Sequence, residues 1–280
     1  NILNKLFKFK KNLEKLNRTS NTEDRSQYKL KLDRNEKIIS LNYDYKKKLN
    51  NYINKIDINL YPNLEPTYKK LSKFLKLDRK NLLITEGVSG AIKNILDSTN
   101  ITKKTEIIVP NPSFALYKIY SKVYNIKVKT YDYDNNFNLK INDIFHNVTK
   151  NTSIVFLTFP NIPVEGNIDI IFIKKLANFL NRKKILLVID EVYFPFNKFS
   201  TIGLIKKFKN LVVMRSFSKA FGLAGARIGY IVSEEKKIKI FSNTKGGYET
   251  NMLSASALEF VIDNKEITNK YVTNVSKGFL

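Results

Sequence analysis

The chain has 280 residues, 43% of them hydrophobic, and a formal charge of +24 from 49 Lys and Arg against 25 Asp and Glu. This length buries a substantial core and this composition excludes a disordered chain, while no run approaches the roughly eighteen uninterrupted apolar residues of a membrane span. With no Cys, disulfides and a thiol nucleophile are excluded, and with His146 as the single His neither a His-based zinc site nor a Ser-His triad is expected. The lysines are scattered along the whole chain among Asn and Ile, without zinc-finger spacing or an RRM signature. The charge therefore reads as composition bias rather than a nucleic-acid surface. Whatever chemistry occurs must run on Lys, carboxylates, hydroxyls or a borrowed cofactor.

In chain order, "NILNKLFKFKKNLEKL" places Ile2, Leu6, Phe9, Leu13 and Leu16 at helical spacing under a basic face, without the apolar core of a signal peptide. Beginning at Asn1 rather than Met, the chain is expected to be a piece of a longer product. The polar "NRTSNTEDRSQ" reads as a linker, so residues 1–28 are a basic N-terminal helix and linker. Strand-like runs follow at 81–85, 106–110, 127–133, 153–159, 185–190, 210–217 and 226–232. Helical patterns lie between several of them, at 89–98, 113–124, 169–183 and 200–208. Short apolar runs such as "ILLVI" suit strands buried on both faces, and the alternation with helices predicts an α/β fold: a three-layer α/β/α sandwich around a mostly parallel sheet.

In such sheets ligands gather at the carboxyl ends of the strands. Asp190 is the polar end of "ILLVID", and "TEGVSGAIKNIL" is a strand end, a glycine turn and a helix start. The free N–H groups of Gly87, Val88 and Ser89 are therefore placed to hold a phosphate. "SFSK", residues 216–219, follows another strand, so three polar clusters fall on one predicted edge.

These motifs, taken in order, resemble the fold-type I pyridoxal-phosphate-dependent aminotransferases (class I/II), and histidinol-phosphate aminotransferases most of all. The resemblance covers residues 30–260 through "LDRNE", "YP", "NLLITEGVSGAI", "PNPSFALY", "FPNIPVEG", "VIDEVY" and "SFSKAFGLAGARIG". It implies that the cofactor is pyridoxal 5'-phosphate and that Lys219 is the catalytic lysine, joined to the cofactor aldehyde and then carrying the proton between substrate and cofactor carbons. Asp190 would pair with the pyridine nitrogen and Tyr193 with the phenolic oxygen. Ser216, Ser218 and Arg227, with the Gly87, Val88 and Ser89 amides, would hold the phosphate. Phe114 would stack on the ring. Tyr61 would reach the phosphate of a neighbouring subunit, which implies a homodimer. Asn35 and Glu36 match a segment that covers the substrate, although Lys37 and Ile38 replace its usual Asn-Pro.

Two departures stand out. The family's "PNNPTG" loop is "PNIPVEG" here, which puts Ile162 where the family has an asparagine for the phenolic oxygen; isoleucine makes no such bond, and Asn161 beside it is the alternative. The resemblance also implies that residues 29–240 form the large cofactor-binding domain and 241–280 the start of a truncated small C-terminal domain, the arginines that grip a substrate carboxylate lying beyond Leu280. The implied function is transfer of an amino group between an amino acid or histidinol-phosphate-like amino-phosphate and a 2-oxo acid, in the cytoplasm and with no metal. The alternatives are an amino acid phosphate decarboxylase on the same scaffold and a degenerate, non-catalytic relative.

Overall fold

Each of the apolar runs forms a strand: β1 (Leu82–Thr85), β2 (Glu106–Asn111), β3 (Lys127–Asp132), β4 (Thr152–Thr158), β5 (Leu186–Asp190), β6 (Leu211–Ser216) and β7 (Gly229–Ser233). The structure, a computed structural model, describes residues 10–13, 16, 24–28, 31–37, 39–162, 164, 168–197 and 199–278. The strands make one sheet in the order β1-β7-β6-β5-β4-β2-β3. β7 runs antiparallel to both β1 and β6, and the other pairs are parallel.

Side chains alternate between the two faces of this sheet, and each face carries its own apolar layer. On one, Leu187, Ile189, Leu211 and Val213 pack with Ile173 and Leu176 of the helix Ile170–Arg182 and with Ala255 and Leu258 of the helix Met252–Asp263. On the other, Val188, Val212 and Met214 pack with Ala91, Ile92 and Ile95 of the helix Gly87–Asp97 and with Tyr117 of the helix Leu116–Tyr124. The expected three-layer α/β/α arrangement follows. Parallel neighbours require a long crossover, usually a helix, whereas an antiparallel neighbour does not. The reversal at β7 therefore leaves residues 217–228, which include Lys219, as a loop rather than a crossover helix.

The structure differs from expectation in four places. The pattern at 200–208 makes only a 3-10 helix, Ile202–Lys206, because Gly203 weakens a helix from inside and Glu191 anchors Thr201 at its start. Helices Tyr43–Ile53, Glu65–Leu75, Ile141–Asn147 and Glu235–Ser242 form without having been marked in the sequence. Part of the linker, Arg25–Gln27, is a 3-10 turn capped by Asp24. The C-terminal passage divides at Asn264 into Met252–Asp263 and Lys265–Gly278, and Tyr43–Ile53 and Glu65–Leu75 pack on the former. The basic helix expected at the N-terminus lies largely outside the described residues, which include there a 3-10 turn, Lys11–Leu13.

Gly229 is where β7 comes closest to the rest of the edge. A Cβ there would stand 2.6 Å from the Arg215 carbonyl oxygen and 2.8 Å from Gly87 Cα, both backbone atoms that cannot swing away. We expect Gly229→Ala to lower unfolding stability by about 1–3 kcal/mol in denaturant titration. Gly203→Ala, with nothing within 4 Å of the added carbon, should leave it unchanged or raise it by about 0.5 kcal/mol.

Candidate active site

β4, β5 and β6 end side by side at Thr158, Asp190 and Ser216, with Thr158 in register with Asp190. Phe156, Val188 and Met214 belong to the apolar layer that holds Tyr117. Counting two residues on from each puts Thr158, Asp190 and Ser216 on that same face. Glu191 and Arg215 fall on the opposite face, where the Arg215 guanidinium binds Glu191 at 2.7 and 2.9 Å and Thr201 supplies two further donors to the carboxylate. This pair is fully buried. It joins the ends of β5 and β6 behind the site.

Asp190 is 1% exposed. The Tyr117 hydroxyl donates to its Oδ2 at 2.5 Å and the Val192 N–H to its Oδ1 at 3.0 Å. The Tyr117 oxygen also lies 3.1 Å from Thr158 Oγ1. Burial pushes the Asp190 carboxyl up to about 6, with the nearby Glu191 charge adding to it; the bonds from Tyr117 and Val192 and the charge of Lys219 oppose the rise. Tyr117 lies in "PNPSFALY" three residues after Phe114, a helical spacing that could have marked it as a partner of the site; sequence reasoning passed it over.

Lys219 sits three residues past the end of β6, half-buried, with its Nζ 5.9 Å from the centre of the Tyr193 ring. Desolvation lowers its pKa; Arg227 lowers it further, while Glu36 and Asp190 pull it back up. Its amine donates to the Arg34 carbonyl at 2.6 Å, and Asn35 Nδ2 donates to the Tyr193 hydroxyl at 2.9 Å. The segment 31–37 thus crosses over the lysine. Glu36 turns aside to Arg25, 2.8 Å away.

The serines and Arg227 form a cup. Arg227 donates from Nη2 to Ser89 Oγ at 3.1 Å and from Nη1 to Ser218 Oγ at 3.4 Å, while Ser216 Oγ donates to Ser218 Oγ at 2.9 Å. Gly87 and Val88 are buried at the start of their helix. Gly87 has φ +67°, and a Cβ on it would stand 3.0 Å from Arg227 Nη2. The missing side chain leaves guanidinium, hydroxyls and helix amides one shared space, and that donor set fits a phosphate ester. Asp190, Lys219 and an open aromatic face, Phe114 at 47% exposure, fit the ring and aldehyde joined to it.

Tyr61 is 82% exposed and stacks on Tyr248 with ring centres 5.0 Å apart. Asn161 is buried, its Oδ1 accepting from Ser113 at 2.8 Å and its Nδ2 donating to the Pro112 carbonyl at 2.8 Å. Both ends of its amide are engaged by the turn before Phe114. Among the described residues, Ile162 makes no hydrogen bond through its side chain, as its chemistry requires.

Because folding raises the pKa of Asp190, the stability this group contributes is complete below its ordinary value of 3.8 and is lost as pH rises through about 6. We expect the cofactor-free chain to lose on the order of 3 kcal/mol across that window in pH-dependent denaturant unfolding, and Asp190→Asn to flatten the loss. Tyr117→Phe, which removes a bond favouring the carboxylate, should move the upper end of the window to higher pH.

The model of the family described as aminotransferase class I and II matches residues 37–279. The histidinol-phosphate aminotransferase of Clostridium novyi (strain NT) is 30% identical over 253 residues, covering 89% of this chain and 69% of that protein. That of Caldanaerobacter subterraneus subsp. tengcongensis is 30% identical over 232 residues, covering 81% and 64%. The chain thus spans about two thirds of the length of these curated relatives. Among solved structures, the Sinorhizobium meliloti histidinol-phosphate aminotransferase in complex with pyridoxal-5'-phosphate superimposes with a TM-score of 0.76 at 18% identity, over 87% of this chain and 67% of that one, a likeness of fold. The L-threonine-O-3-phosphate decarboxylase of Porphyromonas gingivalis has a TM-score of 0.66 at 25% identity, over 80% and 66%. The matched span, with Lys219, Asp190 and the cup of serines and Arg227 gathered on one sheet edge within it, makes this chain a member of the class I and II aminotransferases, enzymes that work through pyridoxal phosphate.

Proposed function

We propose that the chain moves an amino group between a histidinol-phosphate-like amino-phosphate or an amino acid and a 2-oxo acid, working as a cytoplasmic homodimer. The observation that carries this reading is the setting of Lys219, a desolvated amine with a lowered pKa close to Asp190, Tyr193 and Arg227. Bound pyridoxal phosphate supplies an aldehyde for amine exchange and a ring that accepts electrons. The chain's own residues do the rest. Lys219 holds the proton that moves across the substrate carbon, and its depressed pKa keeps a larger share of it in the free-base form that accepts one. Asp190 would hold a negative charge against the ring nitrogen, while Ser216, Ser218, Ser89 and Arg227 with the Gly87 and Val88 amides would bind the phosphate. Phe114 would cover one face, and Asn35 with the backbone of residues 34–37 would close over the substrate and exclude water, the Glu36 side chain being held aside by Arg25. Tyr61, exposed on this chain, serves the cup of the second subunit.

Incubation with pyridoxal phosphate followed by borohydride reduction should leave the cofactor's mass on the peptide containing Lys219 and on no peptide of Lys219→Ala. Absence of that label in the unaltered chain overturns the reading. In the loaded protein, histidinol phosphate with a 2-oxo acid should yield a new amino acid, and O-phosphothreonine should release no carbon dioxide; the opposite pattern assigns the decarboxylase instead. Tyr61→Ala should weaken cofactor binding by about tenfold, the weight of one hydrogen bond to a phosphate, while sedimentation still shows a dimer.

A further inference from the structure

The segment that crosses Lys219 carries a cation with no acid to answer it. Asp33 and Glu36 are both taken by Arg25, at 2.6 and 2.8 Å. Lys37, the next residue, is half-buried, and among the described residues no carboxylate lies within ion-pair distance of it. Its stem passes over Gly222, in the turn that begins at Lys219: a Cβ on Gly222 would stand 2.8 Å from Lys37 Cδ. Its ammonium lies 4.8 Å from the centre of the Tyr271 ring on the helix Lys265–Gly278. That ring packs edge-on against Phe196, three residues beyond Tyr193, with centres 6.0 Å apart. Three separate segments therefore fix where this charge sits.

A desolvated ammonium is costly to hold unless an anion completes its shell, and an aromatic face compensates only in part. Burial lowers the pKa of Lys37, and no neighbouring charge opposes it. The cofactor's phosphate is not the missing partner, since the Ser216, Ser218 and Arg227 cup already provides for it. Lys37 belongs instead to the segment whose Arg34 carbonyl meets Lys219 and whose Asn35 meets Tyr193.

We propose that Lys37 is a specificity-determining residue that binds the anionic oxygens of the amino substrate, a carboxylate or a phosphate ester, at the mouth of the site between residues 34–37, the Gly222 turn and Tyr271. This rests on the function proposed above. It assigns the recognition of negative charge to the crossing segment, separately from the cofactor's own cup.

The test begins with borohydride labelling of the unaltered chain, Lys37→Met and Lys37→Arg, all of which should take the cofactor on Lys219 equally. Calorimetric titration of the loaded proteins with inorganic phosphate and with acetate then reads the subsite without turnover. The unaltered chain should bind at least one of them; Lys37→Met should weaken that binding by about tenfold or more, and Lys37→Arg should restore most of it. Phosphate alone binding assigns the subsite to a phosphate ester, and acetate alone to a carboxylate. Equal binding by the unaltered chain and Lys37→Met, or binding of neither anion by the unaltered chain, overturns the proposal. If no chain takes the cofactor, the functional reading fails separately; the same titration on Arg227→Gln, whose phosphate cup is disabled, with and without Lys37→Met, still decides the matter by the same outcomes.

Discussion

A carboxylate buried at the end of a central strand governs the rest of this structure. Asp190 is 1% exposed, and a charge in that position survives only if fixed dipoles replace the water it has lost. Tyr117 and the Val192 N–H supply two, Thr158 steadies the tyrosine, and Lys219 adds a positive field. What these leave uncompensated appears as the rise of the carboxyl to about 6. A ring nitrogen carrying a proton is the partner that would remove it. On the function proposed above, cofactor binding would draw on that uncompensated burial.

The two-residue alternation of β-strands converts this requirement into a layout. Asp190 and Ser216 face the layer of Tyr117 and the Gly87 helix, so the acid and the phosphate cup share one side. Glu191 and Arg215, one residue away in each strand, point to the other side and lock to each other. Because removal of one partner from such a pair is costly, the ends of β5 and β6 hold a fixed separation, and with it the spacing between Asp190 and the loop that carries Lys219. The crossing segment is held differently. Its ties to Arg25 involve partly or well exposed acids, with side-chain exposures of 55% for Asp33 and 28% for Glu36, and such pairs contribute little. A firm floor beneath a lightly held cover suits a site that must admit and release substrate.

Most strands were legible as runs rich in Val, Ile and Leu buried on both faces, whereas β3 (KVKTYD), at the end of the sheet, is only partly buried and reads from its β-branched and aromatic residues. The antiparallel sense of β7 was not legible, since direction depends on what the chain does over residues 217–228 and no local pattern records it. The 200–208 segment has helical apolar spacing, and only the anchoring of Thr201 by Glu191, ten residues earlier, shows why it tightens to a 3-10 turn. The polar ends of the strands and the glycine turn before the Gly87 helix were readable from the residues themselves, whereas the serines and Arg227 were singled out by the family resemblance. Tyr117, whose spacing from Phe114 was its one local signal, and Lys37 were passed over for one shared reason. Each gains its meaning from a partner far away in sequence, Asp190 for one and Gly222 with Tyr271 for the other.

The departure at Ile162 is best understood through the groups around it. Tyr193 accepts a hydrogen bond from Asn35 Nδ2, and among the described residues its own O–H has no acceptor. A hydroxyl that accepts is polarised toward donating, so Asn35 strengthens the one donor left for a phenolic oxygen. Asn161 meanwhile binds Ser113 and the Pro112 carbonyl, which secures the turn immediately before Phe114. On the function proposed above, the bond to the phenolic oxygen would fall to the Asn35–Tyr193 pair, while the carboxamide beside Ile162 holds the turn before Phe114. On that same function, the crossing segment would then serve the ring as well as cover the lysine, since Asn35 Nδ2 donates to Tyr193 and the Arg34 carbonyl accepts from Lys219.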